Sequence, residues 1–355
     1  MNPPQRTYGI DLLRGIAAFS VLVFHYLSRG PRSDWITDVP LRSLEPVARY
    51  GFLGVDLFFM VSGYVIFMSA IGRTPRAFVA SRVARLYPAL WVAATITWLL
   101  TTWRGDPRFA VTWVDWLWNL TLIPQYVGAE YVDGAYWSLA VELQFYLMVW
   151  LAIRTKLLER SEWLLAGWLL VSLADAIRPM YPVERWLVAN YAPLFTIGAV
   201  TFLAHSRGWT AARVGLLMAA VPLGAWHSVA KARRMGDDWN GFAPDPVVHG
   251  AIVVVLVGVF LLVGTGRITI GKTRWATIPG ELTYPLYLIH QNAGFVLYQA
   301  MVERGVAPSI ALAVIVVFAV TTAVAIHRLV EEPLGPVLRR LVSARKPAAV
   351  ALEPS

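Results

Sequence analysis

The sequence has no cysteine, and charged residues are scarce, at 15% of its 355 residues. The first absence excludes disulfides, thiolate nucleophiles and cysteine-ligated metals. An ordinary soluble domain carries about 25% charged residues, so the scarcity of charge argues against a soluble globular protein. Hydrophobic residues instead make up 57% of the chain, and they recur in apolar runs of about 20 residues, the length at which a helix crosses a bilayer. The composition therefore predicts an all-α integral membrane bundle.

About ten membrane-spanning helices are predicted, and no hydrophilic block is large enough for a second domain. We therefore predict one transmembrane domain over residues 1–338 and a tail over residues 339–355, which is basic, then Ala/Pro-rich, and expected to be disordered. The predicted spans lie at about residues 9–28, 52–71, 83–102, 136–154, 162–178, 187–205, 211–229, 247–264, 282–302 and 308–328.

The net charge of +9 is explained by Lys and Arg in cytoplasmic loops rather than by nucleic-acid binding. If the N-terminus is cytoplasmic, about 18 of the 31 Lys and Arg residues fall in inner segments and about 12 in outer loops. This bias predicts that both termini face the cytoplasm.

The first apolar run, Gly9 to Tyr26, carries two ionisable side chains of special interest, Arg14 and His25. At about 100° and 1.5 Å per residue, the two share one helix face and lie roughly 16 Å apart along the axis. Ionisable groups within a span usually face a protein interior or a wet cavity, because exposure to lipid is costly. We expect Arg14 to hold an anion near the cytoplasmic surface and His25 to act further out as a base toward a hydroxyl.

Two carboxylates are predicted at a depth that matches His25. Asp56 lies in GFLGVDLFFMVSGYVIF, and Glu142 lies in YWSLAVELQFYL. Either could orient the imidazole and stabilise its protonated form. The alternatives are structural: Asp56 at the positive end of a helix dipole, and Glu142 in a buried ion pair with an arginine.

Arg82 and Arg85 share a face at the predicted cytoplasmic start of the third span. They are candidates for phosphate binding, for which the planar guanidinium is well suited. The alternative is an ordinary basic flank of a span.

Aromatic and histidine side chains supply candidate substrate contacts. Tyr136 and Trp137 could stack on a sugar ring or anchor the helix at the membrane interface. Tyr287 and His290, in LTYPLYLIHQ, share a face three residues apart and are further candidates.

The segment Gly266–Thr273, GRITIGKT, matches the phosphate-loop pattern GxxxxGK[ST]. That motif requires a buried strand before it and a helix after it. A membrane-spanning run precedes it here, so we interpret the segment as a basic loop.

Taken together, these motifs resemble those of acyltransferase family 3, the polytopic bacterial membrane acyltransferases that include O-antigen and Nod-factor acetyltransferases. The resemblance extends from about Tyr8 to Pro333 and includes the R-x10-H pair, Arg14 and His25. The family usually has paired glutamates where this chain has Glu142 followed by Leu143. The other matching segments are GFLGVDLFFMVSGYVIF, RVARLYPALW, YWSLAVELQFYL, LTYPLYLIHQ and VEEP.

The resemblance implies transfer of an acyl group, most often acetyl from acetyl-CoA, to a hydroxyl of a carbohydrate or another acceptor, in a bacterial inner membrane. Arg14, Arg82 and Arg85 would hold the nucleotide phosphates of the donor. His25 would deprotonate the acceptor or carry the acyl group itself, and no metal is expected. The alternatives are a transporter of a lipid-linked sugar or an anion, and a tailoring enzyme that acylates a secondary metabolite such as a macrolide.

Overall fold

The structure is a computed structural model that describes residues 8–238 and 241–343. Throughout these residues the regular elements are helices, without a strand. The longer helices are α1 (Tyr8–Phe24), α2 (Leu53–Ala70), α3 (Pro75–Arg104), α4 (Trp137–Arg154), α5 (Ser161–Ile177), α6 (Ala192–Arg207), α7 (Ala211–Asp238), α8 (Pro246–Gly264), α9 (Arg274–Ile289), α10 (Asn292–Val302), α11 (Pro308–Ile326) and α12 (Glu332–Ser343). Shorter helical segments lie at Gly30–Arg32, Arg42–Leu44, Glu45–Ala48, Pro107–Phe109, Trp113–Asn119, Pro124–Val127, Gly134–Tyr136, Leu157–Arg160 and Tyr181–Leu187, with π-helical turns at His25–Arg29 and His327–Glu331.

The predicted all-α membrane bundle is confirmed. In the part of the chain that the structure describes, 8 helical segments are long and apolar enough to cross a membrane. They are Tyr8–Arg32, Arg42–Ala70, Pro75–Arg104, Gly134–Arg154, Tyr181–Arg207, Ala211–Gly236, Pro246–Gly264 and Pro308–Ser343.

Two of the predicted spans have a different form. The span predicted at residues 162–178 is helix α5, which at 17 residues is short for a crossing. The span predicted at 282–302 is divided into α9 and α10, because the chain leaves the helical conformation at Gln291, where φ is −83° and ψ is −84°. The predicted number of spans was therefore approximate, and the departure at Gln291 lies next to a candidate site residue.

Helix α2 lies at the centre of the bundle, packed closely against α1 on one side and α6 on the other. A Cβ at Gly54 would lie 2.5 Å from the carbonyl oxygen of Ala17, and a Cβ at Gly63 would meet the Phe195 backbone. Small residues at these crossings let the helix backbones approach, as in other membrane bundles. The close packing fixes the position of the α2 side chains that face the interior.

Helix α1 is held between α2 and α9. A Cβ at Gly15 would overlap Pro279, and one at Gly280 would come within 2.5 Å of the Asp11 side chain. At its C-terminal end, α1 continues into the π-helical turn that begins at His25. Single π-turns within helices are frequent at functional sites.

Two further sequence predictions concern the C-terminal helix α12 and the segment Gly266–Thr273. Helix α12 extends to Ser343, past the predicted domain boundary at residue 338, and the rest of the predicted tail, 344–355, lies outside the described residues. The segment Gly266–Thr273 follows helix α8 rather than a strand, as its interpretation as a loop requires.

Candidate active site

Two small cavities are lined by residues of α1, α2 and α9. The Arg14 cavity has a volume of about 80 Å³ and is also lined by Ser62 and Glu142. The His25 cavity has a volume of about 120 Å³ and is also lined by Trp137. The predicted anion-binding residue and the predicted base thus border separate spaces.

Arg14 and Glu142 place a cation and a carboxylate in the same cavity. Nη1 of Arg14 lies 3.7 Å from the Asp11 carboxylate one turn earlier. The Glu142 carboxylate accepts a hydrogen bond from the Ser62 hydroxyl of α2, at 2.5 Å. The structure thus brings Glu142 to the cavity of Arg14, where Ser62 holds one of its carboxylate oxygens.

Arg85 lies behind one wall of the Arg14 cavity. Its guanidinium carbon is 5.5 Å from the ring centroid of Tyr284, which lines that cavity. Its Nη1 lies 3.2 Å from the carboxylate of Glu331, which also contacts His327 at 2.8 Å. This arrangement anchors a second guanidinium close to Arg14.

Arg82 approaches the same cavity through Tyr146. The Arg82 guanidinium lies 5.6 Å from the Tyr146 ring centroid, and the Tyr146 hydroxyl interacts with both Arg82 and Glu142. The three predicted donor-binding arginines are therefore gathered at one end of the bundle. Arg14 lines the cavity and the other two lie behind its wall; such a cluster of guanidinium groups is suited to phosphate, which accepts bidentate hydrogen bonds.

His25 forms a pair with His290 in the second cavity. Nδ1 of His25 lies 2.8 Å from Nε2 of His290, although the two residues are 265 positions apart. Nδ1 of His290 lies 2.9 Å from the backbone carbonyl oxygen of Tyr287. His290 is 2% exposed, so this buried ring lies directly behind His25.

The break between α9 and α10 holds His290 in place, and Asp133 anchors that break. The Asp133 carboxylate accepts hydrogen bonds from the backbone N–H groups of Asn292 and Ala135, both at 2.8 Å. Burial raises the pKa of Asp133 to about 7, although these two N–H donors oppose the rise. Non-helical backbone at membrane depth is tolerated where protein satisfies its polar groups, and this loop carboxylate provides that partner.

Asp56 contacts a lysine rather than His25. The carboxylate is 1% exposed and lies 3.1 Å from Nζ of Lys231 on α7. It also accepts a hydrogen bond from Ser228, whose hydroxyl lies 2.8 Å from Nε2 of His249. Lys231 lines the His25 cavity, so the ion pair with Asp56 fixes the position of a cation in the wall of that cavity.

The aromatic candidates fall into two groups. Trp137 lines the His25 cavity, with Nζ of Lys231 5.5 Å from its ring centroid, and Tyr287 lines both cavities. Tyr136 is 1% exposed, lines neither cavity, and donates its hydroxyl to the Leu288 carbonyl at 3.0 Å. Tyr136 therefore joins the start of α4 to α9 instead of facing the cavities.

Four residues of the site were missed by sequence reasoning: Ser62, Tyr146, Lys231 and Asp133. Lys231 lies just past the predicted end of the seventh span. Helix α7 instead continues to Asp238, so Lys231 is part of the helix and lines the His25 cavity. Ser62 lies about two helical turns from Asp56, and Tyr146 lies about one turn from Glu142, so helical periodicity could have indicated them. Within residues 8–238 and 241–343, no group of three or more His, Asp or Glu could hold a metal.

Residues 7–328 match a protein family described as an acyltransferase domain. The chain is similar to the putative membrane-bound transacylase BcsY of Komagataeibacter xylinus, with 25% identity over 320 residues, which cover 81% of this chain and 73% of the relative.

Two further relatives are similar over shorter segments. The O-acetyltransferase OatA of Staphylococcus aureus is 30% identical over 180 residues, which cover 46% of this chain and 27% of the relative. The putative peptidoglycan O-acetyltransferase YrhL of Bacillus subtilis is 31% identical over 159 residues, 39% of this chain and 22% of the relative. No solved structure matches the chain.

Proposed function

The chain belongs to the acyltransferase family, and we propose that this member moves an acyl group from cytoplasmic acyl-CoA to a hydroxyl of a carbohydrate, with His25 as general base. The single observation that carries the proposal is the pairing of the Arg14 and His25 cavities within one bundle. The acyl group is acetyl, in keeping with the relatives named as O-acetyltransferases. The protein resides in a bacterial inner membrane with both termini cytoplasmic, in keeping with the Lys and Arg bias.

The donor phosphates bind at the end of the bundle that carries Arg14, Arg82 and Arg85. This placement is supported by Arg14 in the lining of the cavity, by Arg85 beside the lining residue Tyr284, and by Arg82 beside Tyr146. The extended pantetheine arm is on the order of the 16 Å that helix rise gives between Arg14 and His25. A donor anchored at the arginines can therefore present its thioester to the imidazole.

The hydrogen bonds of the histidine pair favour His25 as a base. The Tyr287 carbonyl can only accept, so Nδ1 of His290 carries the proton that it donates there. The Nε2 of a neutral His290 is then an acceptor and receives the Nδ1–H of His25. It follows that Nε2 of His25 keeps a lone pair, which is the state a general base requires.

In the transfer step, His25 Nε2 removes the proton from the acceptor hydroxyl as its oxygen attacks the thioester carbonyl. The new C–O bond forms, the C–S bond breaks, and the proton passes from His25 to the departing thiolate. The products are an ester and free CoA thiol, and His25 returns to its neutral state. An acyl-histidine would use the same Nε2 lone pair as a nucleophile, so this tautomer is compatible with both routes, and direct transfer is the simpler of the two.

A carbohydrate acceptor is supported by the aromatic wall of the His25 cavity. The Trp137 ring lines this cavity beside Lys231, and an aromatic face is a suitable platform for the apolar face of a sugar. One relative is named as a putative peptidoglycan O-acetyltransferase. A macrolide or similar metabolite would use the same chemistry and differ only as the acceptor.

The donor is tested by CoA release from acetyl-CoA by purified protein in nanodiscs, with water in place of the acceptor. Because the chain has no cysteine, a thiol reagent reports only the released CoA. We expect release by wild type and by His205→Ala, a change at an exposed histidine, and none by His25→Ala that elutes as folded protein. Release by folded His25→Ala at the wild-type rate would overturn the role of His25, and no release by wild type would overturn the CoA donor.

The acceptor is tested by adding labelled acetyl-CoA to membranes that contain the protein. Label in the glycan fraction is expected, and label confined to small secreted metabolites would identify the alternative acceptor.

A further inference from the structure

Among the described residues, Val55 and Tyr287 are the two that line both the Arg14 cavity and the His25 cavity. The other lining residues belong to one cavity or the other. The isopropyl group of Val55 and the ring of Tyr287 therefore form the boundary between the two cavities. The donor phosphates are proposed to bind on the Arg14 side of this boundary, and the base lies on the His25 side.

Tyr287 is held firmly in this boundary. Its hydroxyl lies 2.7 Å from Oγ of Ser138 and donates to the Ala135 carbonyl at 3.1 Å. Its ring packs edge-on against Phe58, with centroids 5.7 Å apart. Its backbone carbonyl accepts the hydrogen bond from His290. Displacing the ring would therefore disturb the start of α4 and the support of His25 together.

Val55 is fixed from the other side by backbone packing. It is 7% exposed and follows Gly54, which lies directly against the Ala17 carbonyl of α1. Since α1 and α2 cannot separate at this crossing without losing that contact, the isopropyl group has little room to retreat. Packing and hydrogen bonds therefore oppose movement of both the Val55 and the Tyr287 side chains.

We propose that Val55 and Tyr287 select the length of the transferred acyl group, so that acetyl is accepted and longer straight chains are rejected. This inference rests on the proposed acyl-CoA donor. The thioester reaches His25 across this boundary, so the acyl chain lies at the boundary or in the His25 cavity. That cavity has a volume of only about 120 Å³ and must also admit the acceptor hydroxyl. Every added methylene therefore competes with the Tyr287 ring or with the acceptor.

The expected size of the effect follows from the size of the group removed. One methylene more or less in an apolar pocket changes the specificity ratio by about 10- to 200-fold. Replacing Val55 with alanine removes two methyl carbons from the boundary, and partial relaxation reduces the gain. We therefore expect the butyryl-to-acetyl ratio of kcat/KM to rise about 10-fold in Val55→Ala, toward the lower end of that range.

The experiment compares initial rates of CoA thiol release from acetyl-, propionyl- and butyryl-CoA by purified protein in nanodiscs. Val65→Ala is the matched control, because Val65 lies on the same helix, packs against the core and lines neither cavity. Val55→Thr keeps the shape of valine and controls for polarity. We expect the wild-type acyl preference in both controls and a higher butyryl-to-acetyl ratio only in Val55→Ala.

A Val55→Ala protein that is active with the wild-type ratio would overturn the inference. If Val55→Ala does not fold, Val55→Ile decides: the narrower boundary should lower the propionyl-to-acetyl ratio, and an unchanged ratio would overturn the inference. Equal rates for acetyl and butyryl in wild type would also overturn it while leaving the CoA donor intact. No release from any of the three donors would instead contradict the proposed function itself.

Discussion

Replacing His290 with phenylalanine should slow acyl transfer without removing His25. The aromatic ring is kept, but the acceptor 2.8 Å from Nδ1 of His25 is lost. The Nδ1–H of His25 must then remain unpaired, rotate toward another partner, or give way to the other tautomer, whose Nε2–H cannot act as a base. The substitution thus changes the state of the base as well as its position.

The magnitude follows from the cost of that lost partner. Leaving a buried donor unsatisfied costs about 1–3 kcal/mol, and each 1.4 kcal/mol is a factor of ten, so kcat should fall by about 5- to 150-fold. A neutral His290 carries no negative charge that could stabilise a protonated His25. The loss of kcat should therefore be smaller than the loss of about 10⁴-fold that follows when the buried aspartate of a Ser-His-Asp triad is replaced.

The assay is CoA thiol release under saturating acetyl-CoA, with kcat and KM determined separately. A positioning role predicts that kcat falls while KM for acetyl-CoA changes little, because the donor binds in the other cavity. His290→Gln provides an amide oxygen close to the position of Nε2 and should recover much of the rate.

The reasoning is refuted if folded His290→Phe keeps kcat within about twofold of wild type, which is below the smallest effect expected for a lost buried hydrogen bond. Failure of His290→Gln to recover any rate would show that shape, rather than an acceptor atom, is what His290 provides.

Three further predictions concern the surroundings of the pair. Arg14→Lys should raise KM for acyl-CoA about tenfold with little change in kcat, because lysine cannot bind phosphate bidentately; steady-state kinetics checks this, and an unchanged KM contradicts it. Lys231→Met should lower the free energy of unfolding by about 3–5 kcal/mol, since it leaves buried Asp56 unpaired, and adding Asp56→Asn should restore most of it in denaturant titrations in detergent. The raised pKa of Asp133, about 7, means that the folded carboxyl binds more protons than the unfolded one between roughly pH 4 and 7. Stability should therefore fall as pH rises through this window, and less steeply in Asp133→Asn, as thermal unfolding at several pH values would show.

The helical membrane bundle could be predicted because it depends on local properties of the sequence. Runs of apolar residues long enough for a bilayer allow few alternatives, since lipid cannot satisfy an open backbone. The break at Gln291 was missed, because its stability comes from Asp133, far away in the chain.

The partners of the site residues depend on contacts that no local pattern encodes. His25 was expected beside a carboxylate, but its partner is His290, 265 positions away. Asp56 pairs with Lys231 at a separation of 175 positions. The side chain of Glu142 points to Ser62 and the Arg14 cavity because α2 and α4 pack there. Helical periodicity places a residue on a face of its helix, but it does not identify the helix that the face meets.

A structure of the protein with a non-hydrolysable acetyl-CoA analogue, determined by electron cryomicroscopy in nanodiscs, tests the central claim most directly. We expect the phosphates at Arg14, Arg82 and Arg85, the pantetheine arm between Val55 and Tyr287, and the acetyl carbonyl carbon in the His25 cavity on the Nε2 side of the imidazole. Phosphates bound at the opposite end of the bundle, or an acetyl group that remains outside the His25 cavity, would contradict the account.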